Sequence, residues 1–280
     1  MDPGIAAAVL AAALLHASWQ ALVKSSGDGV VALAGMNLVS GTVALTLLPF
    51  VRPPTPTAAL IIAFSLLLHS GYKIALAQLY ARADLSVGYP LARGLTPIFA
   101  VALALLFLGE VPRGPTLAGV IAISLGIAGL VLERAARGVS AASLAAAVVV
   151  GLSVAAYSAL DAYGVRLNGD WLGFTAWLVV ADSALFLAYA LATRRGKALS
   201  QWRRAWGRTL VSGALGLASF GVFMWALARA QVGAVAALRE TSIVFAALVG
   251  TLVLKERMTR ARAVSVVLVA AGAAAIALIR

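Results

Sequence analysis

The sequence predicts an all-α integral membrane protein with ten transmembrane helices, which form two inverted five-helix repeats around a central cavity at the bilayer midplane. Three observations predict this fold class: the composition, the spacing of the apolar runs and an internal repeat. Of the 280 residues, 62% are apolar and 11% are charged, whereas a soluble domain carries about 25% charged residues. The polar surface is therefore too small to cover a water-soluble globule, so a lipid bilayer must solvate part of the chain.

Apolar runs recur along the whole chain, and each is close to the roughly 20 helical residues that cross a hydrocarbon core. The predicted spans are 4–24, 30–51, 57–81, 86–108, 114–133, 141–166, 169–192, 208–229, 232–254 and 261–279. Charges or turn residues separate them, and the longest separation is a basic loop at 194–208. The separations at 166–170 and 229–232 are so short that a helical hairpin inside the membrane is an alternative there.

The basic residues predict the orientation of these spans. Lys73, Arg93 and Arg239 fall inside spans, 14 others follow odd-numbered spans and five lie on the opposite side. Because short cytoplasmic loops carry the excess of Lys and Arg, both termini are predicted on the non-cytoplasmic side. Positive-inside topology also explains the net charge of +12 better than nucleic-acid binding does, so no nucleic-acid partner is expected.

An internal repeat appears when the sequence is shifted by 146 residues. Arg93 then falls on Arg239, Glu110 on Glu256 and Gly126 on Gly272. This repeat divides the chain into halves at 1–137 and 138–280, with five predicted helices each. Because five is odd, the second half enters the membrane from the opposite face, and inverted repeats are a recurrent design in transporters that bind substrate near the midplane.

Ionisable side chains inside the spans are the first candidates for function, since each costs about 2.5–3.5 kcal/mol at a helix centre. Such groups face a wet cavity or pair with one another, and several share helix faces with aromatic rings at spacings of three and four residues. A cavity lined in this way suits a small-molecule substrate with an apolar or aromatic body and a polar head. The candidate substrate-binding residues are His16, Trp19, His69, Tyr72, Lys73, Tyr80, Tyr89, Arg93, Tyr157, Asp161, Asp182, Arg239 and Glu240.

Structural roles compete with this interpretation. Trp19 and Tyr80 lie near predicted helix ends, where interfacial aromatic residues are common. Arg93 and Arg239 are alternatively repeat-related structural partners of Glu240 or of a helix C-terminus, and His16 is alternatively a hydrogen-bonding group of the core. Glu110 and Glu256 lie at predicted helix ends, and this position favours capping and interfacial roles over contact with substrate.

Missing motifs exclude several functional classes. The chain has no phosphate-binding loop of the Gly-x-x-x-x-Gly-Lys-Ser/Thr type and therefore no ATPase site of its own. With no Cys and two His residues, neither a thiolate metal site nor an intramembrane metalloenzyme is expected. No catalytic residue, cofactor or metal is predicted, and the sequence is compatible with a monomer.

The segment Tyr89–Pro97, followed by Leu108-Gly109-Glu110, resembles the drug/metabolite transporter superfamily, and specifically its EamA-type ten-helix exporters. An echo of it occurs at 238–241 and 254–256, where Lys255 replaces the Gly that usually precedes the second Glu. The aromatic-amino-acid exporter branch is the most similar. This resemblance implies a secondary transporter in the bacterial inner membrane that exports amino acids, aromatic or bulky apolar ones, and related metabolites by alternating access.

Other functions stay open at this point. A multidrug exporter of lipophilic cations would use Asp182 or Glu240 as the cation partner. An anion carrier would use Lys73, Arg93 and Arg239. A membrane enzyme or a subunit of a lipid-handling assembly represents a different class.

Overall fold

The computed structural model describes residues 1–81, 85–135, 141–245 and 259–278. Within these ranges the side chains are described except at 24, 76–81, 85–90, 131–135, 141–143 and 195. The ordered elements there are α-helices and one 3₁₀ turn, Leu48–Phe50. The α-helices, numbered in chain order, are α1 Pro3–Lys24, α2 Gly29–Leu47, α3 Pro56–Ala81, α4 Leu85–Leu108, α5 Gly114–Ala135, α6 Ala141–Asn168, α7 Trp171–Arg204, α8 Trp206–Leu227, α9 Val232–Glu240 and α10 Arg260–Leu278.

Eight helices in the described part are long and apolar enough to cross a membrane. α5 has a shorter apolar stretch, Gly114–Leu130, and α9 has nine residues. The described ranges contain no strand, which agrees with an all-helical multi-pass membrane protein. The count of ten spans and their arrangement as inverted repeats stay predictions.

Aspartate side chains fix the start of three helices. Asp2 accepts hydrogen bonds from the amides of Gly4 and Ile5 at the start of α1, and Asp28 caps α2 in the same way. Asp170 accepts from the amide of Gly173 at the start of α7. A carboxylate at this position satisfies amides that have no partner inside the helix and lies at the positive end of the helix dipole.

The short separation at 166–170 is a turn between two full-length helices. α6 ends at Asn168 and α7 begins at Trp171. Gly169 lies between them with φ +72, a left-handed conformation that glycine adopts without steric cost. Both flanking helices are long and apolar enough to span a membrane, which favours two full spans over the helical hairpin considered for this position.

A kink divides α7 close to the predicted end of its span at residue 192, and the apolar membrane-spanning part is Trp171–Arg194. The helix continues to Arg204 and contains one non-helical residue, Arg194, with φ −138 and ψ 17. The loop predicted at 194–208 is therefore wrong over most of its length. Trp202 explains the helix, since its side chain is buried and its Nε1 donates to the carbonyl of Val31 in α2 at 2.9 Å. This tertiary contact stabilises a basic segment that hydropathy alone assigns to a loop.

α9 ends at Glu240, although the sequence predicts one helix over 232–254. Thr241 interrupts it, because its Oγ1 and its amide both donate to the carbonyl of Leu238, at 2.6 and 3.2 Å. Threonine hydroxyls compete with helical hydrogen bonds in this way. Helical structure resumes over 242–245, and the remainder of the predicted span lies outside the described residues. The interruption places Arg239 and Glu240 at a helix end inside the protein.

Glycines permit close contacts between helices from the two halves of the sequence. A Cβ atom on Gly119 of α5 would lie 2.6 Å from the carbonyl oxygen of Gly272 in α10. One on Gly213 of α8 would lie 2.5 Å from Cβ of Val39 in α2. Small residues allow this approach where apolar surface alone does not drive helices together.

Candidate substrate-binding cavity

A cavity lies between α1, α2, α3, α6, α7, α8 and α9, with an empty volume of about 780 Å³ including the part open to solvent. Eight of the candidate residues contribute to its wall: His16, Trp19, His69, Tyr72, Lys73, Tyr157, Asp182 and Arg239. Arg93, Asp161 and Glu240 are fully buried behind this wall. Arg93 contacts His16 of the wall and Asp161 contacts His69, while Glu240 contacts Arg93. The side chains of Tyr80 and Tyr89 lie outside the described residues, as does Glu256.

The wall also contains residues that sequence reasoning did not select, among them Asn37, Ser40, Ser219 and Phe220. Asn37 carried a signal that could have revealed it, since a primary amide in the middle of an apolar transmembrane run needs a polar neighbour. Phe220 carried none, because a phenylalanine in such a run faces lipid or protein equally well.

Aromatic rings form one part of the wall. The rings of His69 and Tyr157 stack with their centroids 4.1 Å apart, and Phe220 meets His69 edge-on at 5.7 Å. Trp19 is buried and packs edge-on against His16 at 4.9 Å, so the interfacial alternative for Trp19 is wrong. These rings offer flat apolar surface to a substrate in the cavity.

An ion pair between Lys73 and Asp182 forms a second part of the wall. Nζ of Lys73 donates to Oδ2 of Asp182 and, at 3.2 Å, to Oδ1 of Asn37. Oδ1 of Asp182 and Nδ2 of Asn37 are buried and have no hydrogen-bond partner among the described residues. One hydrogen-bond donor and one hydrogen-bond acceptor beside the cavity are therefore not used by the described residues.

Asp161 and Glu240 are paired behind the wall. Asp161 accepts a hydrogen bond from Ser65, and its Oδ2 lies 2.8 Å from Nε2 of His69. Glu240 Oε2 lies 2.7 Å from Nε of Arg93, and both side chains are completely buried. The ion-pair interpretation of Arg93 is therefore confirmed.

His16 connects the Arg93–Glu240 pair to the cavity. Nη2 of Arg93 lies 2.6 Å from Nε2 of His16. Since a guanidinium can only donate, Nε2 accepts this bond. His16 is thus a hydrogen-bonding group of the core, as the structural alternative held, and it also contributes to the cavity wall.

Arg239 stands apart from the other intramembrane cations. Its guanidinium lies over the ring of Phe223, with Cζ 4.1 Å from the centroid. The residue is 8% exposed and lines the cavity, and its Nε and Nη1 have no hydrogen-bond partner among the described residues. Within the described ranges the carboxylates of Asp182 and Glu240 pair with Lys73 and Arg93 instead. Among the residues that the structure describes, this cationic group of the cavity therefore has no ion-pair partner.

Every ion pair or histidine–carboxylate contact among the described side chains joins a residue of 1–137 to a residue of 138–280. Two of these pairs lie near helix ends and three lie deep in the helix bundle. The pairs are Asp28–Arg194, His69–Asp161, Lys73–Asp182, Arg93–Glu240 and Glu110–Arg166. Electrostatic contacts thus connect the two segments along the depth of the bundle.

Glu110 caps a helix, as predicted, although the helix is not its own. Its Oε2 accepts from the amide of Val232 at the start of α9 at 2.7 Å, and its Oε1 accepts from Nη1 of Arg166 at 2.5 Å. Arg166 also donates to the carbonyls of Leu227 and Ala230, at 2.9 and 2.7 Å. This cluster closes the bundle end where α4, α6, α8 and α9 meet.

We expect Glu110→Gln to lower the free energy of unfolding by about 1.5–3 kcal/mol, the usual contribution of a hydrogen bond to a charged group. The neutral amide weakens both the α9 cap and the contact with Arg166. Thermal unfolding in detergent, followed by tryptophan fluorescence, measures the effect. Arg113→Gln, which alters an exposed charge in the same loop, is the control. Equal stability of the Glu110→Gln and control proteins would contradict the prediction.

Comparisons with known proteins agree with this architecture. Residues 141–278 match the EamA-like transporter family. One solved structure, described only as the crystal structure of a protein, aligns with 100% of this chain and 98% of its own, with a TM-score of 0.79 and 18% identity. At that identity the likeness shows a shared fold. A search of curated proteins finds no match. The match covers just under half of the chain, and over residues 141–278 the sequence is similar to a family of transporters.

Proposed function

We propose that the whole chain is a secondary transporter that exports amino acids, aromatic or bulky apolar ones, through the cavity described above. Arg239 carries this proposal. It is a buried guanidinium on the cavity wall that lacks a carboxylate partner among the described residues. A planar guanidinium binds a carboxylate through two parallel hydrogen bonds. An amino acid supplies that carboxylate and thereby gives Arg239 an ion-pair partner.

The aromatic wall supports a bulky apolar or aromatic side chain. The ring of His69 contacts the rings of both Tyr157 and Phe220 beside the cavity. Stacking on such rings contributes about 0.5–1.5 kcal/mol per ring beyond the burial of area. A small polar amino acid would forgo this contribution, so we expect larger side chains to be favoured.

The packing of the helices supports two inverted five-helix repeats, at 1–137 and 138–280. α1 packs against α8, and α3 packs against α6. In addition, α2 packs against α7, α4 against α9 and α5 against α10. If each of the first five helices is exchanged with the helix five positions later, each of these contacts becomes a contact of the same set. The matched family domain falls within the second of these segments. We infer alternating access by rocking of the halves, with both termini on the non-cytoplasmic side of the bacterial inner membrane.

A lipophilic-cation exporter is the second candidate, because Oδ1 of Asp182 has no hydrogen-bond partner within the described ranges. A cationic drug would need a carboxylate that the protein leaves available. Arg93 already contacts Glu240, which leaves Asp182 as the carboxylate that a cation in the cavity could reach. A cationic substrate would also add its charge to that of Arg239, so the amino acid is favoured.

Proteoliposomes test the proposal directly. We expect vesicles loaded with labelled phenylalanine to release it at least about tenfold faster than protein-free vesicles, with slower release of glycine and no transport of tetraphenylphosphonium; the factor corresponds to about 1.4 kcal/mol of barrier. Absence of flux for phenylalanine, leucine, glycine and glutamate would exclude the proposal. Flux of tetraphenylphosphonium alone would favour the cation exporter.

A further inference from the structure

The ammonium group of Lys73 lies in a site formed by groups that bind cations. A carboxylate oxygen of Asp182 and the amide oxygen of Asn37 accept its hydrogen bonds, and its Nζ lies 5.2 Å from the centroid of the Phe186 ring. Carboxylates, amide oxygens and aromatic faces are the groups that bind a primary ammonium in proteins. Nothing in this set is specific to lysine, so the ammonium of an amino acid fits the same partners.

This site borders the cavity, and one of its carboxylate oxygens accepts no hydrogen bond from the described residues. Lys73, Asp182 and Asn37 all line the cavity wall. Oδ1 of Asp182 is buried without a hydrogen-bond partner among the described residues. Such an acceptor is costly when it stays unsatisfied, and a substrate ammonium entering the cavity would satisfy it.

The same pair joins two helices that must move relative to each other if the halves rock. Lys73 lies on α3 in the segment 1–137, and Asp182 lies on α7 in the segment 138–280. Removing one partner from a buried ion pair leaves a bare charge, which is strongly unfavourable. An empty transporter that reorients with a bare Asp182 would meet this barrier in every cycle.

We propose that Lys73 is a tethered substitute for the ammonium group of the substrate. The substrate ammonium displaces Lys73 from Asp182 and Asn37, and the displaced ammonium of Lys73 then faces the substrate carboxylate beside Arg239, which lines the same cavity. Lys73 returns to Asp182 and Asn37 when the substrate leaves. Asp182 is then neutralised in the loaded and in the empty transporter, so both reorient. Asp182 and Asn37 thereby select substrates with an amino group. This inference rests on the proposed export of amino acids.

Two rates measured on the same proteoliposomes test the inference. Efflux into amino-acid-free buffer requires the empty transporter to return, whereas exchange of labelled for unlabelled phenylalanine does not. We expect the wild-type ratio of exchange to efflux to be below about 3, because Lys73 neutralises Asp182 in the empty state. We expect Lys73→Gln to raise this ratio by about tenfold or more, because only the substrate then neutralises Asp182.

Two matched variants test whether the effect depends on the positive charge of residue 73. Lys73→Arg keeps a cation beside Asp182 and should keep a ratio close to that of the wild type. Lys197→Gln removes an exposed lysine near the end of α7 and should change neither rate. A misfolded fraction cancels from the ratio, because both rates come from one preparation.

Either of two results would overturn the inference. One is obligatory exchange by the wild-type protein, which would mean that the empty transporter does not return. The other is an unchanged ratio in Lys73→Gln. Both results leave amino acid transport intact and so differ from a failure of the proposed function, in which the wild-type protein moves no amino acid at all.

Discussion

Arg239→Gln is expected to lower kcat/KM for phenylalanine export by about thirtyfold or more. Loss of one partner from a buried, hydrogen-bonded charge pair costs about 2–5 kcal/mol, and about 1.4 kcal/mol corresponds to a factor of ten. Gln cannot form the two charge-assisted bonds that a guanidinium makes with a carboxylate. Initial rates of efflux over a range of phenylalanine concentrations measure the change.

Stability and selectivity distinguish this role from a structural one. Because Arg239 lacks a carboxylate partner among the described residues, its replacement should leave the Tm unchanged or raise it. The preference for phenylalanine over phenylalaninamide, which lacks the carboxylate, should fall in the variant. Arg204→Gln, a change at an exposed position, is the control. If Arg239→Gln transports at the wild-type rate, the carboxylate assignment is wrong.

Arg93→Leu is expected to lower the free energy of unfolding by about 3–5 kcal/mol, since it leaves Glu240 as an unpaired buried carboxylate. Both side chains of the pair are completely buried. The double variant Arg93→Leu/Glu240→Leu should recover most of the loss, because replacing both partners by apolar groups removes the bare charge. Unfolding in denaturant, analysed as a double-mutant cycle, gives the coupling energy.

Arg203→Leu changes an exposed arginine by the same substitution and serves as the control. A loss below about 1 kcal/mol in Arg93→Leu, the range of exposed pairs, would contradict the buried-pair interpretation. Flux through the folded double variant carries separate information. If it is low, the pair also positions His16 on the cavity wall through the 2.6 Å contact with Arg93.

The internal repeat illustrates what sequence comparison can and cannot predict. Shifting by 146 residues places Arg93 on Arg239, and this equivalence suggested equal roles. In the folded chain Arg93 contacts Glu240 and His16, whereas Arg239 lies over Phe223 beside the cavity. The difference depends on which helices face each residue, and this information is absent from either copy of the repeat.

Asn37 and Trp202 show the same limit. The role of Asn37 in the cavity wall depends on Lys73 and Asp182, which lie on two other helices. Trp202 lies in a basic segment with the composition of a loop, and its hydrogen bond to Val31 of α2 accounts for the helix there. Contacts between residues far apart in sequence have no local signature, so neither could be derived from periodicity.

The sequence by itself determined that this protein is helical and membrane-embedded, and it located most of the candidate side chains. It could do so because insertion depends on local apolar length, and an ionisable group inside a span always needs a polar environment. Only the tertiary structure decided that Lys73 pairs with Asp182 and Arg93 with Glu240, while Arg239 faces the cavity. Those pairings depend on the rotation and depth of helices that are distant in sequence, which packing across the whole bundle sets.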